Sequence, residues 1–165
     1  MNKIRKITLV SIQILNGLVM TSMFAILFAQ VLLRRFFNHP LSWPEEISLI
    51  ALVWITFVGA FQISLNGQHL KMDVLENYIS EKVKNILQII ATVFIIFFLG
   101  ITIYFGFPFI QKVGGTEMPI TKIPMYVPYY IILFSFILML LEYIYQFVES
   151  LLLLLKKEDK SCSQS

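Results

Sequence analysis

Four long apolar runs constrain this sequence more than any other feature. They cover about residues 7–33, 47–65, 86–107 and 127–147, and each is near or above the roughly 20 residues that cross the hydrocarbon core of a bilayer. The runs are continuous rather than alternating, which favours helices over the strands of a barrel. The composition, 58% hydrophobic and 14% charged, lies far from that of a soluble domain. The sequence therefore predicts an all-α integral membrane protein with four transmembrane helices.

These four spans form one predicted membrane domain over residues 1–155, followed by a charged tail over residues 156–165. The N-terminus imitates a secretory signal, since Lys3, Arg5 and Lys6 precede the first apolar run. That run is too long for a signal peptide, and no small-x-small cleavage site closes it. We therefore expect the segment to be retained as the first span.

The distribution of lysine and arginine predicts the orientation of the spans. With four spans, the two termini and the middle loop share one side, and the first and third loops share the other. The first side carries nine basic residues: Lys3, Arg5, Lys6, Lys71, Lys82, Lys84, Lys156, Lys157 and Lys160. The second side carries four: Arg34, Arg35, Lys112 and Lys122. The positive-inside rule then places both termini in the cytoplasm.

A polar segment, residues 66–85, follows the second run and keeps a helical period. Its apolar positions are Met72, Leu75, Ile79 and Val83, and Ile86 just after it continues the spacing. This spacing predicts a short amphipathic helix along the inner membrane interface. His69 precedes it, and a lone histidine beside a glycine is more typical of a turn or a headgroup contact than of a metal ligand.

The first span carries a stripe of mostly small residues at every fourth position. Its members are Gln13, Gly17, Thr21, Ala25 and Ala29. Small side chains allow another helix to approach closely, so the stripe predicts a packing face. Asn16 and Gln30 add polar groups that can form hydrogen bonds across helices.

A charged elbow joins the first two spans, with Arg34 and Arg35 before it and Glu45 and Glu46 after it. Ser42 and Glu45 have the spacing of a helix-capping box, and the acids favour the positive end of the helix that starts here. Trp43 is typical of the membrane interface. Two interpretations stay open: an interfacial turn with solvated charges, or a glutamate paired with Arg34, Arg35 or a partner subunit.

The sequence predicts no catalytic residue, cofactor site or metal site, and therefore no enzyme. It has no nucleophile with a base and no phosphate-binding glycine loop, and no basic patch interleaved with aromatics indicates a nucleic-acid partner. Two alternative functions remain. A small autonomous exporter would need an acid within a span, for which Glu142 qualifies. A haem-bearing membrane anchor would need paired histidines, but His39 and His69 lie on opposite sides in the predicted topology.

Several short segments together resemble a known family. They are Arg35-Phe36-Phe37, Trp43-Pro44-Glu45-Glu46, Trp54 with Phe57-Val58-Gly59-Ala60, Gly67-Gln68-His69-Leu70-Lys71-Met72-Asp73, and Ile123-Pro124. In this order and at these span ends they resemble the small, DctQ-like membrane subunit of tripartite ATP-independent periplasmic (TRAP) transporters. Pro44 departs from the family, which more often has a small hydroxyl residue there.

This resemblance implies a scaffold subunit in a bacterial inner membrane. Its partners would be the bilayer, a large transmembrane subunit that moves substrate by an elevator-like mechanism, and a periplasmic substrate-binding protein. Transport would be sodium-coupled and specific for an organic anion such as a dicarboxylate or sialic acid, with the sodium and substrate sites in the large subunit. Together with the stripe and the elbow, the resemblance predicts these partner-interface residues: Gly17, Thr21, Ala25, Ala29, Arg34, Arg35, Trp43, Glu45, Glu46, Trp54, His69, Asp73 and Pro124.

Overall fold

The computed structural model describes residues 3–37, 41–65 and 81–162, which form four α-helices. α1 spans Lys3–Phe37, α2 Trp43–Leu65, α3 Glu81–Val113 and α4 Tyr126–Cys162. Each helix contains a segment long and apolar enough to cross a membrane: Arg5–Phe36, Trp43–Leu65, Ile86–Val113 and Tyr126–Ser150. The predicted all-α fold with four helices of spanning length is confirmed.

α3 extends beyond the predicted span, through Pro108 to Val113. A proline inside a helix removes one hydrogen bond, here to the carbonyl of Tyr104, and membrane helices tolerate this loss. The helix stops at Gly114, where an added Cβ would lie 2.5 Å from the carbonyl oxygen of Ile110. The glycine, rather than the proline, is thus the residue at which α3 ends.

Two other predictions concern the ends of the helices. α4 continues to Cys162 and so includes most of the segment predicted as a charged tail. Most of the predicted amphipathic helix, residues 66–80, lies outside the described residues, and α3 begins at Glu81. The interfacial helix therefore stays a prediction, as does the location of the termini.

The helices stand in an open row. The backbones of α1 and α2, of α2 and α4, and of α4 and α3 lie close together, and no other pair of the described helices approaches as closely, although side chains of α1 and α4 meet at Arg5 and Glu142. The order across the molecule is therefore α1, α2, α4, α3, and the row does not close into a bundle. α1 and α3 form its two edges.

A small core joins the first three members of this row. Leu9 of α1 packs with Phe61 and Leu65 of α2, and Leu138 and Met139 of α4 lie against this cluster. Many other large apolar side chains are exposed along the spans, as expected where the surrounding solvent is hydrocarbon.

At the other edge of the row, α3 and α4 approach closely at Gly106. A Cβ added to this glycine would lie 2.8 Å from Cδ1 of Leu133, which is buried on α4. The end of the Leu133 side chain thus occupies space that a side chain at position 106 would need.

The loop between α3 and α4, residues 114–125, is a folded turn. An isolated β-bridge pairs Glu117 with Pro124, and the amide of Met118 donates to the carbonyl of Ile123 at 2.9 Å. Lys122 adopts a left-handed backbone conformation with φ of 58°, which is uncommon for a residue other than glycine. Met118 is buried beneath the turn, so the 114–125 loop has a defined conformation of its own.

Candidate functional site

The small-residue stripe of α1 is exposed along its whole length. Gly17, Thr21, Ala25 and Ala29 are all exposed, nothing lies within 4 Å of a Cβ added to Gly17, and the hydroxyl of Thr21 donates to the carbonyl of Gly17 in its own helix. The face of α1 that packs on α2 is a different one, which includes Leu9 and Ile12. The stripe therefore remains open to a second protein or to lipid.

Two amides of α1 form hydrogen bonds to the neighbouring segment, as the sequence predicts. Asn16 Nδ2 donates to Gln62 Oε1 of α2 at 3.1 Å. Gln30 Nε2 donates to the carbonyl of Leu41 at 3.0 Å and to Glu45 Oε1 at 3.3 Å. These contacts fix α1 against α2 at two depths, and each is expected to contribute about 1 kcal/mol.

Glu46 holds the 114–125 loop against the start of α2. Its Oε1 accepts a hydrogen bond from the amide of Ile120 at 3.0 Å. Its Oε2 accepts from the amide of Thr121 at 2.7 Å and from the hydroxyl of Thr121 at 2.6 Å. The residue is only 8% exposed, so its carboxylate is committed to this contact within the chain.

The other charged elbow residues face outward. Arg34, Arg35 and Glu45 are exposed, and Trp43 is 41% exposed at the first position of α2. Within the described ranges, neither Glu45 nor Glu46 forms an ion pair with Arg34 or Arg35. Pairing of either glutamate with Arg34 or Arg35 is thus not seen in the described residues, and Glu46 instead binds the 114–125 loop, a contact that the sequence did not reveal.

The opposite end of the row is joined by a polar network that reaches three helices. The guanidinium of Arg5 on α1 forms an ion pair with Glu142 Oε1 of α4, and both side chains are largely buried. Gln146 Nε2 donates to the same Oε1 at 2.8 Å and to the carbonyl of Ser64 of α2, also at 2.8 Å. Glu142 is therefore balanced by a cation of its own chain.

Sequence reasoning missed this network because its members lie far apart along the chain. Arg5 and Glu142 are separated by 137 positions. The available signal was that Glu142 and Gln146 share one helical face and that an acid within a span requires a partner. The basic N-terminal segment supplied the candidate cation.

An apolar groove of about 650 Å³ lies on one face of the row. Its lining comes from all four helices and includes Leu15, Trp54, Val58, Phe107, Tyr130 and Phe134. Leu15, Phe107, Tyr130 and Phe134 are at the same time exposed, so the groove opens towards the surrounding membrane.

Trp54 lines this groove together with Tyr130 and Ser135, which also carry polar atoms. Its indole Nε1 is buried and has no hydrogen-bond partner among the residues that the structure describes. Trp54 was predicted as an interface residue, and the structure places it in the lining of the groove.

The remaining predicted interface residues fall in two places. Pro124 is partly buried in the 114–125 loop, and its carbonyl accepts from the amide of Val127 at 3.1 Å. His69 and Asp73 lie outside the described residues. Among the described residues, no group of three histidine, cysteine or acidic side chains is placed to hold a metal ion.

Sequence comparison identifies the family. Residues 23–153 match the family described as "Tripartite ATP-independent periplasmic transporters, DctQ component". The chain belongs to the DctQ family. It is therefore a small membrane subunit of a TRAP-type transport system, and its family is one of transporters rather than of enzymes.

Three relatives of this DctQ subunit come from Haemophilus influenzae. Two are described as TRAP transporter small permease proteins, both in strain Rd. One is 24% identical over 121 residues, 73% of each chain, and the other is 34% identical over 67 residues, 41% of this chain and 42% of the relative. In strain 86-028NP, the sialic acid TRAP transporter permease protein SiaT is 27% identical over 106 residues, 64% of this chain. The matched part is only 17% of the length of SiaT.

Proposed function

We propose that this DctQ subunit is the scaffold against which the large permease subunit of a TRAP transporter packs in a bacterial inner membrane. The observation that carries the proposal is the match to SiaT, in which the similar segment is 17% of a much longer permease. In SiaT a similar segment is part of a long permease, whereas here it belongs to a short chain. Such a segment is well suited to pack beside the same kind of permease in both cases.

The open row of helices supports this role. Both edges of the row and the stripe of α1 present apolar or small side chains that no other described part of the chain covers. Small residues on an exposed helix face allow close helix–helix approach in a membrane. The large permease would thus find several surfaces of this subunit available.

The elbow and the 114–125 loop lie at the same end of the row, which we assign to the periplasmic side. The distribution of lysine and arginine supports this orientation, because it favours a cytoplasmic location for the opposite end. The exposed Arg34, Arg35 and Lys122 and the ordered 114–125 loop would then help to dock the periplasmic substrate-binding protein.

Transport itself belongs, in this proposal, to the large permease. The substrate would be an organic anion of the dicarboxylate or sialic-acid type, and the name of SiaT supports the latter. Movement would be coupled to sodium at sites in the large permease. The pairing of Glu142 with Arg5 supports this assignment, since the acid needed by an autonomous exporter is engaged in a contact between helices.

The test is co-expression with a large TRAP permease subunit from the same source, followed by affinity purification through a tag on the small subunit alone. Recovery of both chains, and sodium-driven uptake by liposomes that contain both chains and the binding protein, is the expected result. Liposomes with this subunit alone should show no uptake. Solute transport by the purified subunit without a companion would overturn the proposal.

A further inference from the structure

The tip of the 114–125 loop is attached to α2 by the carboxylate of Glu46. The amides of Ile120 and Thr121 donate to its two oxygens, at 3.0 and 2.7 Å, rather than to acceptors within the loop itself. The next amide, that of Lys122, donates to the carbonyl of Met118 in the loop at 3.2 Å. Glu46 therefore holds the part of the loop that its own backbone does not.

This attachment determines which side chains of the tip face outward. The hydroxyl of Thr121 points inward, to Glu46 Oε2 at 2.6 Å. Its two neighbours are exposed: Ile120 is 49% exposed, and Lys122 is exposed on a left-handed backbone with φ of 58°. The tip thus presents one apolar and one cationic side chain to the outside.

Positive charge predominates on the exposed surface at this end of the row. The exposed basic residues are Arg34, Arg35, Lys112 and Lys122, and the exposed acidic residues are Glu45 and Glu117. Even when the buried Glu46 is included, the described residues of this end hold four positive and three negative charges. Such a surface complements an acidic partner.

The spread of the cations favours a protein surface over a lipid headgroup as this partner. Arg34 and Arg35 lie in the last turn of α1, at one edge of the row, and Lys112 lies in the last turn of α3, at the other edge. Lys122 lies between them, in the loop that reaches α2. Neighbouring helices lie roughly 8–10 Å apart, so the two edges are about 25–30 Å from each other. One headgroup cannot cover this distance, whereas a protein interface can.

We propose that Glu46 is a positioning residue, which holds Ile120 and Lys122 in the arrangement that binds an acidic surface of the periplasmic substrate-binding protein. This inference rests on the proposed function, because it takes the binding protein as the partner of this end. It goes further by naming the chemistry of the contact: an acid of the partner faces Lys122, and an apolar side chain packs on Ile120. Glu46 itself stays beneath the loop and does not touch the partner.

Two substitutions with the same change in charge separate positioning from charge. Glu46→Gln and Glu45→Gln each remove one negative charge, so charge alone predicts that both tighten the binding of an acidic partner. The amide of Gln has only one accepting oxygen, so Glu46→Gln also loses at least one bond to the loop. A positioning role therefore predicts weaker binding of Glu46→Gln, roughly fivefold for about one lost hydrogen bond. Glu45→Gln should bind at least as tightly as wild type.

The measurement is the affinity of the binding protein from the same source for the complex of subunit and large permease. The complex is placed in phosphatidylcholine nanodiscs, so that the lipid adds no net charge. Binding of Glu46→Gln that is equal to or tighter than that of wild type would overturn the inference.

Lys122→Gln tests the outward charge without disturbing Glu46. It should weaken binding roughly threefold at low salt, and the loss should disappear at high salt because exposed charges are screened. Lys6→Gln is the matched control, since Lys6 is exposed at the opposite end of the row. Wild-type affinity of Lys122→Gln at low salt, or a loss that high salt does not remove, would contradict the proposed contact.

Photo-crosslinking identifies what lies against the tip. A photoreactive phenylalanine at position 120 should crosslink to the binding protein when this is added to the complex. The same group at position 7, where Ile7 is 66% exposed near the opposite end of α1, gives the background. Crosslinks from position 120 only to lipid, or only to the large permease, would overturn the inference.

The two levels of the proposal fail differently. If the wild-type subunit does not co-purify with the large permease, or the complex does not bind the binding protein, the proposed function fails and the inference falls with it. If the wild-type complex binds the binding protein but Glu46→Gln and Lys122→Gln bind it equally well, the proposed function stands and the positioning role of Glu46 is wrong.

Discussion

Glu46 and Glu142 are carboxylates within predominantly apolar helices, and each is stabilised by different partners. Glu46 accepts three hydrogen bonds from a loop, and Glu142 pairs with a guanidinium and a side-chain amide. Except for Gln146, the residues that donate hydrogen bonds to Glu46 and Glu142 lie far from these acids in the sequence. The sequence thus indicates that each acid requires a partner, but not which partner, because the tertiary fold brings the donors to them.

The Glu46 contact predicts a local effect on the 114–125 loop. Glu46→Gln replaces a carboxylate by a neutral amide, and neutral hydrogen bonds are weaker than those to a charged acceptor. We expect the backbone amides of Ile120 and Thr121 to exchange with deuterium several-fold faster, as measured by hydrogen–deuterium exchange. Glu45→Gln is the matched control and should leave their exchange unchanged, whereas equal effects of both variants would show that the contact is not specific to Glu46.

The Arg5–Glu142 pair predicts an effect on the stability of the whole subunit. Glu142→Gln leaves the guanidinium of Arg5 largely buried without its counter-ion, which should lower the free energy of unfolding by about 1–3 kcal/mol. Unfolding in detergent micelles, followed by circular dichroism, measures this change. Glu149→Gln, on an exposed position of the same helix, should have little effect.

A double variant separates the charge contribution from packing. Arg5→Leu combined with Glu142→Leu removes both charges, and such apolar replacements of a buried pair are often neutral or stabilising. It should therefore recover much of the stability lost in Glu142→Gln. A double variant less stable than the single one would show that the ion pair itself is strongly favourable.

For the individual helices, the apolar runs predicted well which segments are helical, but predicted less well the residues at which the helices begin and end. Length and hydropathy suffice for a spanning helix because the backbone must be satisfied internally. Pro108 was an unreliable end signal, since α3 continues through it to Val113. α3 ends at Gly114, where a Cβ would collide with the carbonyl oxygen of Ile110 and with Tyr126. The contact with Tyr126 arises because the loop turns back towards α4, which the sequence does not show.

The contact between α3 and α4 gives a prediction at this scale. Gly106→Leu would force a side chain against Leu133, where a Cβ alone already lies 2.8 Å from Cδ1. Overpacking of this kind should lower the free energy of unfolding by about 1–3 kcal/mol in the same detergent assay. Gly100→Leu is the control on the same helix, because nothing lies within 4 Å of its added Cβ. Equal stability of the two variants would argue against close packing at Gly106.

For the whole molecule, the order of the helices could not be predicted from the sequence. Lipid is as apolar as leucine, so buried and lipid-facing positions do not differ in hydrophobicity as they do in a soluble protein. Phe61 on α2 is buried and Phe94 on α3 is exposed, yet both stand in similar apolar surroundings in the sequence. Polar residues were more informative, since Asn16 and Gln30 correctly indicated contacts of α1 with its neighbour.

The position of α1 at the edge of the row gives a prediction about assembly. Gly17→Leu adds a bulky side chain to the exposed stripe, where the chain itself has nothing within 4 Å of the added Cβ. Leucine favours a helix over glycine by nearly 1 kcal/mol, so the isolated subunit should remain folded. If the large permease contacts the stripe, its recovery in affinity purification should fall on the order of tenfold, equivalent to about 1.4 kcal/mol.

Gly100→Leu is again the control, now on α3 and away from the stripe. It should leave recovery of the permease near the wild-type amount. Normal assembly of Gly17→Leu would mean that the stripe faces lipid in the complex.

The Glu46 contact also has a consequence for how the protein is made. Its amide donors, Ile120 and Thr121, follow Glu46 by 74 and 75 positions, so they leave the ribosome long after the acid has reached the membrane surface. The contact can therefore close only after α3 has been made. A nascent chain stalled before residue 114 lacks the donors that conceal this carboxylate in the finished protein.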